Sequence, residues 1–371
     1  MRRFILFGFL CIVSCTQYIQ TIDCNSSHEE VVITNYGAVP DGNTDCGSII
    51  NKLIDGFSDD GGTIVIPIGD FAVIQPIFID KNNVIIKGLG PGFRSNIDVE
   101  NDDLEGPGGG SKLIVKNGDC AIRFATGVTN SSVCDLMISG GETLKGVGLT
   151  VSADTRSCVI SNVVGISLIT CVKSYKTNDL MIKDCWFSEV HNSILLNEGS
   201  NNTISRCQLG AKPVGYTCKF SNETGLKLLN NQIYPDGKSC VYMEACDNAD
   251  ISGNNLKSYY VGALDIKGNN NRITGNLIWL ADAVPGQLID KSSDYGVVRI
   301  SGNDNKCIAN TIVCDWAVDN PVTVRVADGE RNEFTDCYIS NQNSSRVFWI
   351  NEHTSMTNCV NSDKVLVTYE K

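Results

Sequence analysis

One six-residue phrase returns five times between residues 178 and 278, and it restricts the fold more than any local propensity does. It reads Ile182-Lys183-Asp184-Cys185-Trp186-Phe187, then Ile204-Ser205-Arg206-Cys207-Gln208-Leu209, then Leu228-Leu229-Asn230-Asn231-Gln232-Ile233. It continues as Ile251-Ser252-Gly253-Asn254-Asn255-Leu256 and Ile273-Thr274-Gly275-Asn276-Leu277-Ile278. The common form is apolar, two variable residues, Asn or Cys, one variable residue, apolar. Successive phrases start 22, 24, 23 and 22 residues apart. A fixed period in this range marks a solenoid, in which each repeat buries its apolar face only by stacking on its neighbours. Apolar residues one strand-length apart, broken by Asn and Gly, suit short strands and tight bends rather than helices. The expected fold is an all-β, right-handed parallel β-helix of roughly ten or more coils. Further phrases begin at Val133, Val159, Cys307, Phe334 and Met356.

The Asn-or-Cys position also bears on the cysteines. Of 17 in the chain, Cys185, Cys207, Cys337 and Cys359 fall where Asn162, Asn231, Asn254, Asn276 and Asn310 stand in other phrases. Several are therefore expected as small buried residues stacked in the solenoid wall. Neighbouring ladder cysteines remain able to form disulfides in an oxidising compartment. Such a compartment is expected, because Arg2 and Arg3 precede the apolar run Phe4 to Val13, the pattern of a secretory signal over residues 1–16. That run is too short to span a bilayer, so no membrane anchor is expected. Sequons at Asn25, Asn130, Asn201, Asn222 and Asn343 make a glycoprotein in a eukaryotic host. With three histidines and no Cys-x-x-Cys, a metal site is not expected. The net charge of −12 argues against nucleic acid and against a polyanionic polymer, while a neutral polymer or another protein remains compatible as partner.

Residues 31–73 read as a capping unit and 74–371 as the β-helix, together one domain. Val31 to Ile33 is a strand. Ile49, Ile50, Leu53, Ile54 and Phe57 recur at helical spacing over residues 46–57 behind Asp45 as N-cap. A helix there covers the open end of the solenoid, where strand edges would otherwise recruit another chain. Gly88 to Gly92 and Gly106 to Gly110 bracket a glycine-rich excursion. It lacks the Gly-Lys-Ser/Thr of a phosphate loop and reads as a wall loop. The step from Ile273 to Cys307 is 34 residues, and the surplus is Trp279 to Gly296, with Trp279, Asp282, Pro285, Asp290, Asp294 and Tyr295. Insertions of this kind become loops on one face, either roofing a cleft or simply crossing the wall.

Two resemblances add to this reading. Tyr36-Gly37-Ala38, Asp41-Gly42, Thr44-Asp45, Gly61-Gly62-Thr63, Pro67 and Gly69 resemble the N-terminal segment of the pectate-lyase-like β-helix superfamily. From about Val84 to Asn310 the chain resembles the inulin fructotransferases, which form difructose anhydrides. That likeness is carried by Gly88-Leu89-Gly90-Pro91-Gly92-Phe93 with Ser95 and Ile97, by His191, and by Leu209-Gly210-Ala211 with Pro213 and Gly215. It continues through Asn222 with Gly225-Leu226, Asn230-Asn231, Tyr234 to Ser239, Leu256 to Gly262, Tyr295 to Val298, and Ser301-Gly302-Asn303. The resemblance implies a homotrimer with a sugar cleft near the subunit contact. It also implies cleavage of a β-2,1-fructan by attack of the fructosyl chain's own hydroxyl, giving a cyclic difructose dianhydride, with an oligo- or polysaccharide substrate as partner and no metal or organic cofactor.

That chemistry needs two carboxyl groups flanking the anomeric carbon, one donating a proton and one ionised. The chain departs from the family at Val214, Ser221, Thr224 and Tyr242, where acidic residues are usual, and the normally basic turn reads Asp236 and Lys238. The substitute acids are Glu223, Glu244 and Asp236, with Asp265 one coil further on; each also reads as a solvated surface carboxylate. Tyr242, Lys238, Asp265, His191, Trp279, Asp290, Asp294, Tyr295 and Arg299 are the candidate sugar-binding residues. The alternatives are a non-catalytic carbohydrate-binding or structural homologue, and another β-helix hydrolase or lyase. The Asp-Asp, Gly-His-Gly and Arg-Ile-Lys motifs of polygalacturonases do not occur in the sequence.

Overall fold

The computed structural model describes residues 29–92, 109–141, 144–234, 237–281, 291–315, 321–341, 346–361 and 367–369. The expected secretory signal lies outside them. The chain winds into a right-handed parallel β-helix with three faces. Its third sheet has twelve strands, from Ile77–Ile79 to Val367–Tyr369. The first two sheets run from Met181–Lys183 to Ser355–Thr357 and from Trp186–Ser188 to Val360–Asn361. Towards the N-terminus they fuse in the unbroken strands Ser132–Ser139 and Val159–Ile166. No helix among the described residues is long and apolar enough to cross a membrane.

The repeated phrase is the corner between the first and second sheets. Its opening apolar residue points into the core, and Ile182, Ile204, Leu228 and Ile251 stack in register at zero exposure. Its third residue turns left-handed, with φ of 56° at Asp184, 53° at Arg206, 55° at Asn230, 67° at Gly253 and 62° at Gly275. Asp, Asn and Gly tolerate that conformation best, which is why they recur there. The fourth residue then places its side chain beneath the corner. Asn254 Oδ1 accepts from the backbone N–H of Asn231 at 2.9 Å and from Asn231 Nδ2 at 2.9 Å. Its own Nδ2 donates to the Leu228 carbonyl at 2.8 Å and to Asn276 Oδ1 at 2.9 Å, and Asn276 repeats the pattern onto Asn310. The asparagine ladder thus satisfies backbone groups that the bend takes out of the sheet. A second ladder, Asn271–Asn305–Asn332, does the same at the corner between third and first sheets.

Cysteine continues the first ladder as expected. Cys185, Cys207 and Cys337 are buried, and the Cys207 N–H donates to Asn231 Oδ1 at 2.9 Å. No disulfide joins any cysteine among the described residues. One register differs from the sequence reading. Ile160, not Val159, pairs with Ile182, so Asn162 occupies the left-handed bend at φ 53° and Val163 the buried ladder position. The long strand Val159–Ile166 runs through this corner, and two adjacent apolar residues made either phasing possible.

At the N-terminus the expected cap forms over Gly47–Gly56, with Ile50 and Ile54 at zero exposure. Asp45 accepts from the N–H groups of Gly47 and Ser48 at 3.1 and 3.0 Å, and from Ile74 and Gln75 at 2.8 and 3.1 Å. One carboxylate therefore caps the helix and ties it to the first coils.

Candidate functional site

On the third sheet alternate side chains point outward, and parallel register lines them up from coil to coil. One such column runs Lys173, Leu195, Lys219, Tyr242, Asp265, Arg299, Arg325, Trp349. The neighbouring outward column runs Tyr175, Asn197, Ser221, Glu244, Lys267, Ser301. Four predicted residues, Tyr242, Glu244, Asp265 and Arg299, thus share one face over three consecutive coils.

Their contacts define the site. Lys267 Nζ donates to the Tyr242 hydroxyl at 3.0 Å, and this contact holds the lysine pKa above its usual value against the lowering effect of burial. Tyr216 and Tyr242 pack with centroids 5.4 Å apart, and Lys219 Nζ sits 5.3 and 5.7 Å from the two centroids. Glu244 is exposed. Asp265 faces outward yet has zero exposure, because the segment 291–296 lies across it. The Tyr295 hydroxyl donates to Asp265 Oδ2 at 2.5 Å, while Lys291 Nζ is 3.9 Å from that oxygen. Burial first, and then this bond, pushes the Tyr295 pKa upward. Asp265 Oδ1 is buried with no hydrogen-bond partner among the described residues.

The segment itself is held by arginines. Arg299 stacks 4.5 Å from the Tyr295 ring centroid, Arg325 donates to the Asp294 carbonyl at 2.7 Å, and Arg346 pairs with the Asp294 carboxylate. Asp294, predicted to bind sugar, is here an anchor for the strap. The C-terminal part of the predicted insertion therefore covers the third sheet; Asp236, Asp290 and the stretch 282–290 lie outside the described residues.

Other predicted residues are placed elsewhere. Glu223 turns into the corner between third and first sheets at zero exposure. It accepts from the Gly199 N–H and from Asn202 Nδ2, both at 2.9 Å, and burial raises its pKa to about 7. Trp279 is on the second sheet, its indole donating to Asp315 at 2.6 Å with Lys257 Nζ 4.8 Å from a ring centroid. It therefore stands on a different face from Asp265. His191 and Lys238 are half-buried at the start of third-sheet coils, their backbone N–H groups bonding to Leu168 and Gly215.

Sequence reasoning missed Lys219, Lys267, Tyr216 and Lys291. The signal was present, since Lys219, Tyr242 and Asp265 are 23 residues apart and Arg299 follows after the same 34-residue step that separates Ile273 from Cys307. The charge argument also changes. Although the chain is acidic overall, Lys173, Lys219 and Lys267 collect on this one face.

Alongside lies a groove of about 550 Å³, within the range of ligand sites. Thr126, Ser152, Lys173, Tyr175, Asn197 and Lys219 are among its lining residues.

A family model described as periplasmic copper-binding protein (NosD) matches residues 116–286. Among the described residues no three His, Cys, Asp or Glu side chains gather into a group that could hold a metal ion. No curated protein matches in sequence. The DFA-IIIase of Arthrobacter chlorophenolicus A6, without its lid and in complex with GF2, is 22% identical with a TM-score of 0.79, covering 92% of this chain and 97% of that one. The same enzyme with DFA-III is 20% identical with a TM-score of 0.75, covering 89% and 94%. The A-module of the Azotobacter vinelandii mannuronan C-5 epimerase AlgE4 is 16% identical with a TM-score of 0.54, covering 90% and 95%. The likeness read from the sequence thus holds at the level of fold: this chain and DFA-IIIase share a parallel β-helix.

Proposed function

We propose that the protein is a secreted, carbohydrate-active β-helix protein that holds an oligosaccharide along the outer face of its third sheet and cleaves it there. The observation carrying this reading is the joint placement of Tyr216, Tyr242, Glu244, Lys267 and Asp265 on one face. Tyrosine rings present flat apolar surface to the C–H faces of sugars, and the carboxylates and lysines bond their hydroxyls. Glu244 and Asp265 lie on adjacent strands two residues out of register, so their Cα atoms are about 8 Å apart by strand geometry. That is a workable starting geometry for two carboxyl groups flanking a glycosidic bond. Glu244, open to solvent and one coil from Lys267, is placed to carry negative charge beside the cationic transition state. Asp265 is the candidate for moving the proton to the leaving oxygen, a role that requires the Tyr295 hydroxyl to swing off its carboxyl.

The fructotransferase resemblance and the GF2 and DFA-III bound by DFA-IIIase support a fructan as substrate, with intramolecular transfer giving a difructose dianhydride. A homotrimer with the third-sheet face near the subunit contact goes with that reading. One observation favours a binding-only homologue instead: Asp265 is sealed beneath Tyr295. Incubation of the purified protein with inulin and levan, followed by analysis for cyclic dianhydrides, separates the two. Turnover abolished in both Glu244→Gln and Asp265→Asn supports the catalytic pair. No turnover by folded protein that still retains labelled inulin would leave the binding reading alone.

A further inference from the structure

We infer a second ligand site on the third sheet, specific for a carboxylate-bearing sugar, in the groove that runs over the five coils before Glu244. Lys173 and Lys219 line it two coils apart, with Leu195 in register between them. By strand spacing their Cα atoms are roughly 10 Å apart. Neither lysine has an ion pair among the described residues; Lys219 contacts the rings of Tyr216 and Tyr242. No Asp or Glu lines the groove; of the acids beside it, Glu198 pairs with Lys176 at 3.4 Å and Glu244 stands in register with Ser221 at its far end. In a chain of net charge −12 two uncompensated lysines on an acid-free floor are a local reversal of sign, and a reversal of sign selects an anion.

The remaining lining identifies what carries the anion. Tyr175 is 43% exposed and offers a stacking face, and Leu195 supplies apolar floor. Thr126, Ser152, Asn197 and Ser221 offer hydroxyl and amide groups. An aromatic face, an apolar floor and neutral polar groups match a pyranose ring and its hydroxyls, while two lysines match carboxylates borne on it. A nucleic acid is disfavoured, because two lysines cannot offset repulsion of a dense polyanion by the rest of the surface. The ligand is therefore a short uronate-containing oligosaccharide. This site adjoins the face that carries the fructan reading, since Lys219 contacts Tyr216 and Tyr242 and Ser221 is in register with Glu244, but neither acid of the pair lines it.

Calorimetric titration of the full-length protein with tetragalacturonate, against an inulin oligosaccharide of equal length, tests it. Binding of the uronate that weakens as salt is raised, and that falls by about tenfold per lysine in Lys173→Gln and Lys219→Gln, is expected. Tyr175→Ala should weaken binding without changing the salt dependence, and Glu244→Gln should leave it intact even if it abolishes turnover on inulin. Equal affinity for the neutral oligosaccharide would overturn the proposal. So would undiminished binding by a folded double lysine variant, or displacement by inorganic phosphate at concentrations comparable to the uronate, which would mark a site for any anion.

Discussion

Glu223 provides the sharpest test of how the solenoid accommodates a buried acid. Its carboxyl has zero exposure and no cation partner among the described residues; its donors are the Gly199 N–H and Asn202 Nδ2. The niche exists because residue 199 is glycine, since a Cβ there would stand 2.8 Å from Glu223 Oε1 and 2.3 Å from Asn202 Nδ2. Burial raises the pKa to about 7 from an ordinary 4.5, which corresponds to roughly 3 kcal/mol. The sign follows from linkage: the folded state binds this proton more tightly than the unfolded one. Its stabilising effect is complete below pH 4.5 and is lost as pH rises through 7, above which the fold must hold an ionised carboxylate in a dry corner. Glu223→Gln removes that dependence but sets an amide NH₂ against Asn202 Nδ2, costing about 1 kcal/mol at every pH. The variant should therefore be less stable than the parent by about 1 kcal/mol at pH 4.5 and more stable by about 2 kcal/mol at pH 8.5. Urea unfolding followed by circular dichroism at both pH values measures it, and the other acids cancel in the difference. Parallel profiles, with no reversal of order, would refute the assignment of Glu223 as a buried proton-bearing group.

Asn254→Ala removes the acceptor of the Asn231 N–H and the donor to the Leu228 carbonyl, and should cost about 2–4 kcal/mol in thermal or urea unfolding. Gly199→Ala should destabilise by a comparable amount in the parent, and Glu223→Ala in the same chain should recover part of the loss by vacating the niche. Tyr295→Phe removes the hydrogen bond that Asp265 Oδ2 receives, leaving a buried carboxylate without its closest donor. The change should loosen the strap, seen as faster amide exchange at Tyr295 and Gly262, whose N–H donates to the Gly296 carbonyl.

The fold was legible because solenoid physics writes itself at fixed intervals. Each phrase combines a core residue, a residue that tolerates positive φ and a small polar residue that satisfies the bend, and the asparagine and cysteine columns followed directly. Phasing failed only at Asn162, where Val159 and Ile160 are both apolar. There the strand is continuous and lacks the sharp corner that sets the phase elsewhere. The capping helix was legible for a local reason, its helical spacing behind Asp45.

The site was harder to read because its residues are defined by register on the third sheet, whose strands carry no repeated phrase. Adding one repeat period to Lys219 gives Tyr242, and adding it again gives Asp265, but nothing within any single coil marks these residues as neighbours. The same arithmetic separates Glu223 from Glu244, although the sequence offers both as substitute acids. Glu244 is in register with Ser221 on the outer face, whereas Glu223 lies two residues beyond Ser221, past the strand end and into the corner. Along a strand the inside and outside alternate strictly, so parity decides exposure; past the strand end the left-handed residue Asn222 resets it. Net charge misled for a related reason. A sum over the chain cannot see that Lys173, Lys219 and Lys267 share a face, and in a β-helix it is the column, not the composition, that a ligand meets.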